Sequence, residues 1–218
     1  MRGPNAVDRR TLASASSPRP HRWPRTTRRQ ARIAGVLSRR QPDLTVVVED
    51  VHDAHNVSAI LRGCDAVGVL RAHAVYTTEE APPGAFKRTT SAGAAKWVDV
   101  ERHASIASCF ERLRSEGFTI LVTAFGEGAR PLYDWDLSGP VAIVFGNEMR
   151  GVSDEAVALA DGGIEIPMAG MVQSLNVSVA SAVCLYEAFR QRLQSGAYDA
   201  PRLDDEMLGA LEEDWLHR

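Results

Sequence analysis

Two strand-to-turn junctions in the last third of the chain constrain its fold more than any other feature. VAIVFGNEMRG (Val141 to Gly151) reads as a buried strand ending on Gly-Asn-Glu. EIPMAGMVQSLNVSVASAVCLYEAFRQR (Glu165 to Arg192) reads as a short strand ending on Ile-Pro-Met, then a Gly/Gln/Ser/Leu/Asn turn that opens a long amphipathic helix. Polar residues at strand ends, beside a helix N-terminus, are where open α/β sheets hold their ligands. The rest of the chain has the same rhythm. Leu44 to Glu49 is a β-branched strand, His55 to Ala66 a helix, and Val67 to Val75 and Trp97 to Val100 are further strand candidates around a Pro/Gly/Thr-rich loop. His103 to Ser115 (helix), Phe118 to Ala124 (strand), Val141 to Phe145 (strand) and Val152 to Ala160 (helix with Ser153 as N-cap) follow. Gly163 to Pro167 (strand), Ser174 to Leu193 (helix) and Asp204 to Leu216 (helix) complete the alternation. The pattern predicts an α/β fold, a mostly parallel sheet flanked by helices, with N- and C-terminal helical extensions.

At 218 residues and 44% hydrophobic, the chain can bury one sizeable core with appendages. Cys64, Cys109 and Cys184 lie far apart, with no CxxC and no Cys/His cluster of metal spacing, so a reduced cytoplasmic protein without a metal is expected. No apolar run approaches the roughly 18 residues of a membrane span, and the N-terminus lacks the apolar core of a secretory signal. A soluble protein with no membrane partner follows.

Charge is unevenly placed. Residues 1–40 hold eleven Arg and one acid, Asp8, a balance of +10, while the remaining 14 basic and 27 acidic residues give −13. A basic arm on an acidic body is a common plan for nucleic-acid enzymes. Residues 1–26, rich in Pro, Ser and Arg, read as a disordered leader; an organellar transit peptide shares that composition. Residues 27–42 read as a basic helix, in which Arg28, Arg29, Arg32, Arg39 and Arg40 interleave with an apolar stripe of Ile33, Val36 and Leu37. That helix should dock by its stripe and turn its arginines outward.

Several chemistries are excluded by motif. Gly126-Glu127-Gly128 lacks the third glycine of a dinucleotide fingerprint, and Gly146 to Gly151 lacks the Lys and Ser/Thr that complete a P-loop. No GxSxG elbow and no HExxH occur.

The segment VEDVHDAHNVSAILRGCDAVGV (Val48 to Val69), the NEMRG turn and IPMAGMVQSLNVSVA resemble three motifs of the SpoU/TrmH family of RNA 2′-O-ribose methyltransferases. The resemblance runs from about Arg28 to the C-terminus. It implies a SPOUT-type trefoil-knotted sheet binding S-adenosylmethionine, with the knotted methyltransferase domain over residues 43–195, a C-terminal helical extension over 196–218, and a homodimer. Thr123, Ala124, Gly146, Ile166, Met168, Ser174 and Leu175 are implied as cofactor-binding, Gly146 letting the ligand approach the backbone closely. Taken singly, Thr123, Ile166 and Leu175 read as core residues. Asn56, Arg62, Glu148, Ser174 and Asn176 are implied as catalytic.

Asn56 and Arg62 lie six apart and so off a common helix face; Asn56 is expected at the cap and Arg62 on the second turn. A guanidinium with a pKa above ~12 is not a literal base, so Arg62 is expected to hold phosphate and stabilise the emerging alkoxide, with Glu148 orienting the Arg or Asn side chains. Arg32, Arg190, Arg192 and Arg202 are implied as RNA-binding. Within the family, the basic helix and the acidic tail resemble the tRNA branch. That implies 2′-O-methylation of a guanosine ribose in the tRNA D-loop, at tRNA position 18. The alternatives are a ribosomal RNA methyltransferase of the same family, or a catalytically silent RNA-binding or cofactor-sensing protein.

Overall fold

The computed structural model describes residues 26–86, 96–124 and 128–218. The expected leader up to residue 25, the loop residues 87–95 and residues 125–127 lie outside the described residues.

Seven strands form one sheet: β1 Leu44–Glu49, β2 Arg71–Val75, β3 Asp99–His103, β4 Thr119–Thr123, β5 Ala129–Pro131, β6 Val141–Phe145 and β7 Gly162–Glu165, in the order β3-β2-β1-β6-β4-β7-β5. Every pairing is parallel. Among the described residues the α-helices are α1 Thr27–Leu37, α2 Ala54–Val67, α3 Ile106–Ser115, α4 Asp154–Leu159, α5 Val177–Gln194 and α6 Asp205–His217. Parallel strands covered on both faces must be apolar throughout. β1 and β6 are buried at every position, and they pair from Leu44↔Val141 to Val48↔Phe145, which brings Asp50 and Gly146 to one edge.

On one face Val46, Val48, Ile143 and Phe145 pack with Val57, Ile60, Leu61 and Cys64 of α2 and Cys184, Leu185 and Ala188 of α5. On the other, Val47, Ile120, Val122 and Val144 meet Ile106, Phe110 and Leu113 of α3 and Ala156 of α4. A third cluster joins the two terminal helices: Ile33 and Leu37 of α1 pack with Leu203 and with Leu211 and Trp215 of α6.

Several expected boundaries move for local reasons. Val67 ends α2 rather than starting a strand, because Gly68 caps the helix at φ 87, where a Cβ would lie 2.6 Å from the Arg39 carbonyl oxygen. His103 belongs to β3, and α3 starts at Ile106 because Ser105 and Ser108 form a reciprocal capping box. The long helix starts at Val177, not Ser174, because Asn176 is its N-cap. β5 was not expected: three residues ending in proline carry no strand signal, and an edge position tolerates the missing N–H. On α1, Ile33 and Leu37 are buried but Val36 is exposed. Arg40 turns inward against expectation. Fully buried, it pairs with Asp65, donates to Val69 O at 2.9 Å and lies 5.0 Å from the Trp215 ring centroid.

Candidate active site

The C-terminal ends of β4, β6 and β7 and the N-terminus of α5 enclose a cavity of about 500 Å³. All seven residues expected around a cofactor line it: Thr123, Ala124, Gly146, Ile166, Met168, Ser174 and Leu175. Its size falls in the range of small-molecule sites.

Gly146 is required for a reason other than ligand approach. A Cβ there would stand 2.2 Å from the backbone of Gly151 and Val152. The chain doubles back on itself, closed by Asn147 N to Gly151 O at 2.9 Å and Gly151 N to Asn147 O at 2.8 Å, with Gly151 at φ 72. Asn147, which the sequence reading passed over, organises this turn. Its Oδ1 accepts from the amides of Met149 (2.9 Å) and Arg150 (3.2 Å), while its Nδ2 donates to Asp50 O at 2.9 Å. The signal was available, since asparagine bonding its own backbone two residues on is a known turn device. Thr123 serves the fold as well as the cavity, its hydroxyl donating to Val144 O at 2.9 Å.

The turn aims Glu148 at the start of α2. Glu148 Oε1 accepts from Asn56 Nδ2 at 2.8 Å and from Asp53 N at 3.2 Å, and Oε2 accepts from His52 N at 3.1 Å. Partial burial works against the charged form, but the Asn56 side chain and the Glu148, His52 and Asp53 amides outweigh it and hold the carboxyl below its ordinary value. Asn56 Oδ1 in turn accepts from Asn176 Nδ2 at 3.2 Å, and Asn176 Oδ1 caps α5 through Ser178 N at 2.9 Å. Three residues from three distant segments thus form one chain, Glu148–Asn56–Asn176, whose two ends line the cavity while buried Asn56 links them.

Asn56 is not the helix cap that was expected. Asp53 caps α2, accepting from His55 N at 2.7 Å, which frees Asn56 to point inward, buried, from the first turn. Ser174 lines the cavity and is exposed. Arg62 does not reach it within one chain; its side chain is exposed on α2 and has no hydrogen bond or ion pair among the described residues.

The four arginines implied for RNA part company. Arg32 is exposed on α1. Arg190 is half-exposed, with its guanidinium held by Glu187 at 2.7 Å and Gln194 at 2.7 Å. Arg192 requires a correction: it is fully buried, pairs with Asp43 at 2.7 Å and donates to Gln41 Oε1 and the carbonyls of Leu137, Asp43 and Gly139, so it has nothing left to offer a phosphate. Arg202 joins the same centre through Asp43 at 2.6 Å. The sequence showed no metal spacing, yet the parallel pairing of β2 with β3 brings His73 Nδ1 to 2.9 Å from His103 Nε2, with Cys109 alongside. Burial first, then the neighbouring His103, Arg71 and Arg112, push His73 down to about 3, so it is a neutral, hydrogen-bonded core histidine at neutral pH.

Residues 43–186 match the SpoU rRNA methylase family. The chain belongs to that family. Among SpoU relatives, it is 55% identical over 194 residues to the tRNA (guanosine(18)-2′-O)-methyltransferase of Thermus thermophilus, covering 89% of this chain and 98% of that one. It is 50% identical over 173 residues to the Escherichia coli protein of the same name, covering 78% and 73%. The crystal structure of the Aquifex aeolicus TrmH/SpoU tRNA modifying enzyme superposes with a TM-score of 0.80 at 38% identity over 87% of this chain and 95% of that one. The SpoU methyltransferase AviRb of Streptomyces viridochromogenes, solved with AdoMet, gives 0.62 at 26% identity over 72% and 60%. The SpoU fold class expected from the sequence is therefore the fold observed.

Proposed function

We propose that this protein is an S-adenosylmethionine-dependent tRNA (guanosine-18-2′-O)-methyltransferase. The observation that carries the reading is the Glu148–Asn56–Asn176 chain on the rim of a ligand-sized cavity. Identity of 50–55% to proteins of that name supports the substrate. We take the segment from Gly146 to Asn176 as the part of the chain that carries the family's knot, and the cytoplasm, where tRNA is found, as the place of the reaction.

The lining suits the cofactor. Ile164, Ile166, Leu175 and Ala180 give an adenine an apolar seat, and Glu148 and Arg150, the only charged residues lining the cavity among the described residues, match a ligand with a sulfonium, an amino group and a carboxylate. When bound, S-adenosylmethionine supplies a methyl group on a positively charged sulfur. The chain's own task is to hold the ribose oxygen in line. Glu148, ionised and with both oxygens engaged, is a poor proton acceptor; it fixes Asn56, which fixes Asn176. The Arg62 guanidinium, without a partner among the described residues, can hold the target phosphate and stabilise the oxygen as its proton leaves.

In a homodimer that task falls to Arg62 of one subunit acting at the other's cavity. Val179, Tyr186 and Leu193, seven residues apart on α5 and each about half exposed, offer an apolar stripe for such a dimer. A monomer by sedimentation at micromolar concentration contradicts this part. For the reaction, labelled methyl transfer is measured to a tRNA transcript, the same transcript with 2′-deoxyguanosine at position 18, and 23S rRNA. Transfer to the first alone is expected; transfer to rRNA alone assigns the chain to the ribosomal branch.

A further inference from the structure

A second cavity of about 330 Å³ shares Asn147, Arg150 and Gly151 with the first, so the Asn147–Gly151 turn is a wall common to both. Its remaining walls include Glu49, Asp50, Thr78 and Asp154. The two carboxylates at the end of β1 differ sharply. Asp50, in the left-handed region at φ 50, is saturated: it accepts from the amides of Thr77 (2.9 Å), Thr78 (3.3 Å) and Glu79 (3.2 Å). Glu49 is 2% exposed, and only its Oε2 is engaged, by Ser153 N at 3.0 Å. Its Oε1 has no partner among the described residues. That oxygen keeps access to the cavity rather than being sealed in the core, so it is an acceptor open to a ligand there.

The chemistry of the walls narrows the choice. A phosphate is opposed by Glu49, Asp50 and Asp154, which outnumber Arg150, a cation already paired with Glu79 at 2.9 Å. A metal ion needs ligand atoms gathered closely, and the only such group among the described residues is His73, His103 and Cys109, in which none of the three takes part. What fits is a neutral, planar group with adjacent N–H donors. Guanine presents N1–H beside its 2-amino group on the Watson–Crick edge, whereas adenine presents an acceptor at N1 that a carboxylate opposes. The volume accommodates a purine, and the shared turn would then carry the attached ribose toward the cofactor cavity.

We infer that this second cavity takes the guanine base of the target nucleotide, with Glu49 accepting from its N1–H and 2-amino edge. The inference rests on the proposed function, since the target must be a guanosine. Glu49 is on this account a substrate-binding residue that selects the base, separate from the residues that hold the cofactor.

The test compares kcat/KM on tRNA transcripts carrying guanosine or inosine at position 18, with wild-type protein and Glu49→Gln. Wild type should methylate the inosine transcript at least about tenfold less efficiently, because one donor is gone. Glu49→Gln, which keeps an acceptor for Ser153 N, should lose about tenfold or more on guanosine and bring the guanosine-to-inosine ratio toward one. Its affinity for S-adenosylhomocysteine and its melting temperature should stay at the wild-type values. Equal rates on both transcripts with wild type, or an unchanged ratio in Glu49→Gln, overturns the pocket. If Glu49→Gln fails to fold, the wild-type comparison decides alone. No transfer to the guanosine transcript overturns the functional reading, and the identity of the base with it.

Discussion

The two ends of the parallel sheet use polar residues in opposite ways. At the carboxyl ends of the strands, Glu148, Asn56 and Asn176 form an open chain beside a cavity. At the amino ends, just before β1 and β6, Arg192 and Arg202 share Asp43, and Arg192 is sealed among the carbonyls of Leu137, Asp43 and Gly139. The contrast follows from the architecture, since parallel strands leave their crevice at the carboxyl ends. It teaches that the same residue type, arginine, can be a sealed tie at the amino ends and an exposed side chain on α2. Arg192 has five acceptors around it, and Arg62 has none among the described residues.

The largest effect should come from cutting the lower network. Arg192→Ala leaves Asp43 short of its main buried partner and should cost about 3–5 kcal/mol of unfolding free energy in urea. A midpoint close to wild type would erase the distinction between the two ends. Next in size, Asn56→Ala breaks the upper chain at its middle link. Methyl transfer is expected to drop about 10²-fold, with cofactor affinity retained in calorimetry.

A third effect separates core from site by pH. His73 takes up a proton in the unfolded chain below its ordinary 6.5 but not in the folded one until about 3. Stability contributed by its burial in neutral form is therefore intact above 6.5 and lost as pH falls through that window, at about 1.4 kcal/mol per unit. Urea melts at pH 7 and pH 5 should differ by about 2 kcal/mol, with a smaller difference in His73→Phe. Glu148, held below its ordinary 4.5, stays ionised across the same range, so methyl transfer by the folded fraction should show no carboxylate limb there. The smallest effect belongs to Arg32→Ala, expected to weaken tRNA binding a few-fold and to reduce its salt dependence by about one counterion.

How much of this could be read in the sequence depended on the range of the interaction. β1 and β6 were legible because LTVVVE and VAIVF are continuous apolar runs, and the cavity lining because its seven residues sit in short motifs at strand ends. The Ser153 cap of α4 is likewise local. Arg192 was misread because its burial depends on Asp43, some 149 positions away, which no local pattern encodes. The same holds for His73 and His103, brought together by the register of β2 and β3 rather than by spacing. Asn56 was placed one role too early, at the cap, because Asp53 three residues before it competes for the same amides and wins. β5 left no trace at all, being three residues with a proline.

The most direct test of the division between the two ends is a paired measurement on Glu148→Gln: melting temperature and methyl transfer to a guanosine-18 tRNA transcript, side by side with wild type. Glutamine keeps one oxygen for the backbone amides but faces Asn56 with an uncharged group. The account predicts transfer at least about tenfold slower with a melting temperature within roughly 3 °C of wild type. Full activity, or a fall in melting temperature that by itself accounts for the lost activity, would contradict it.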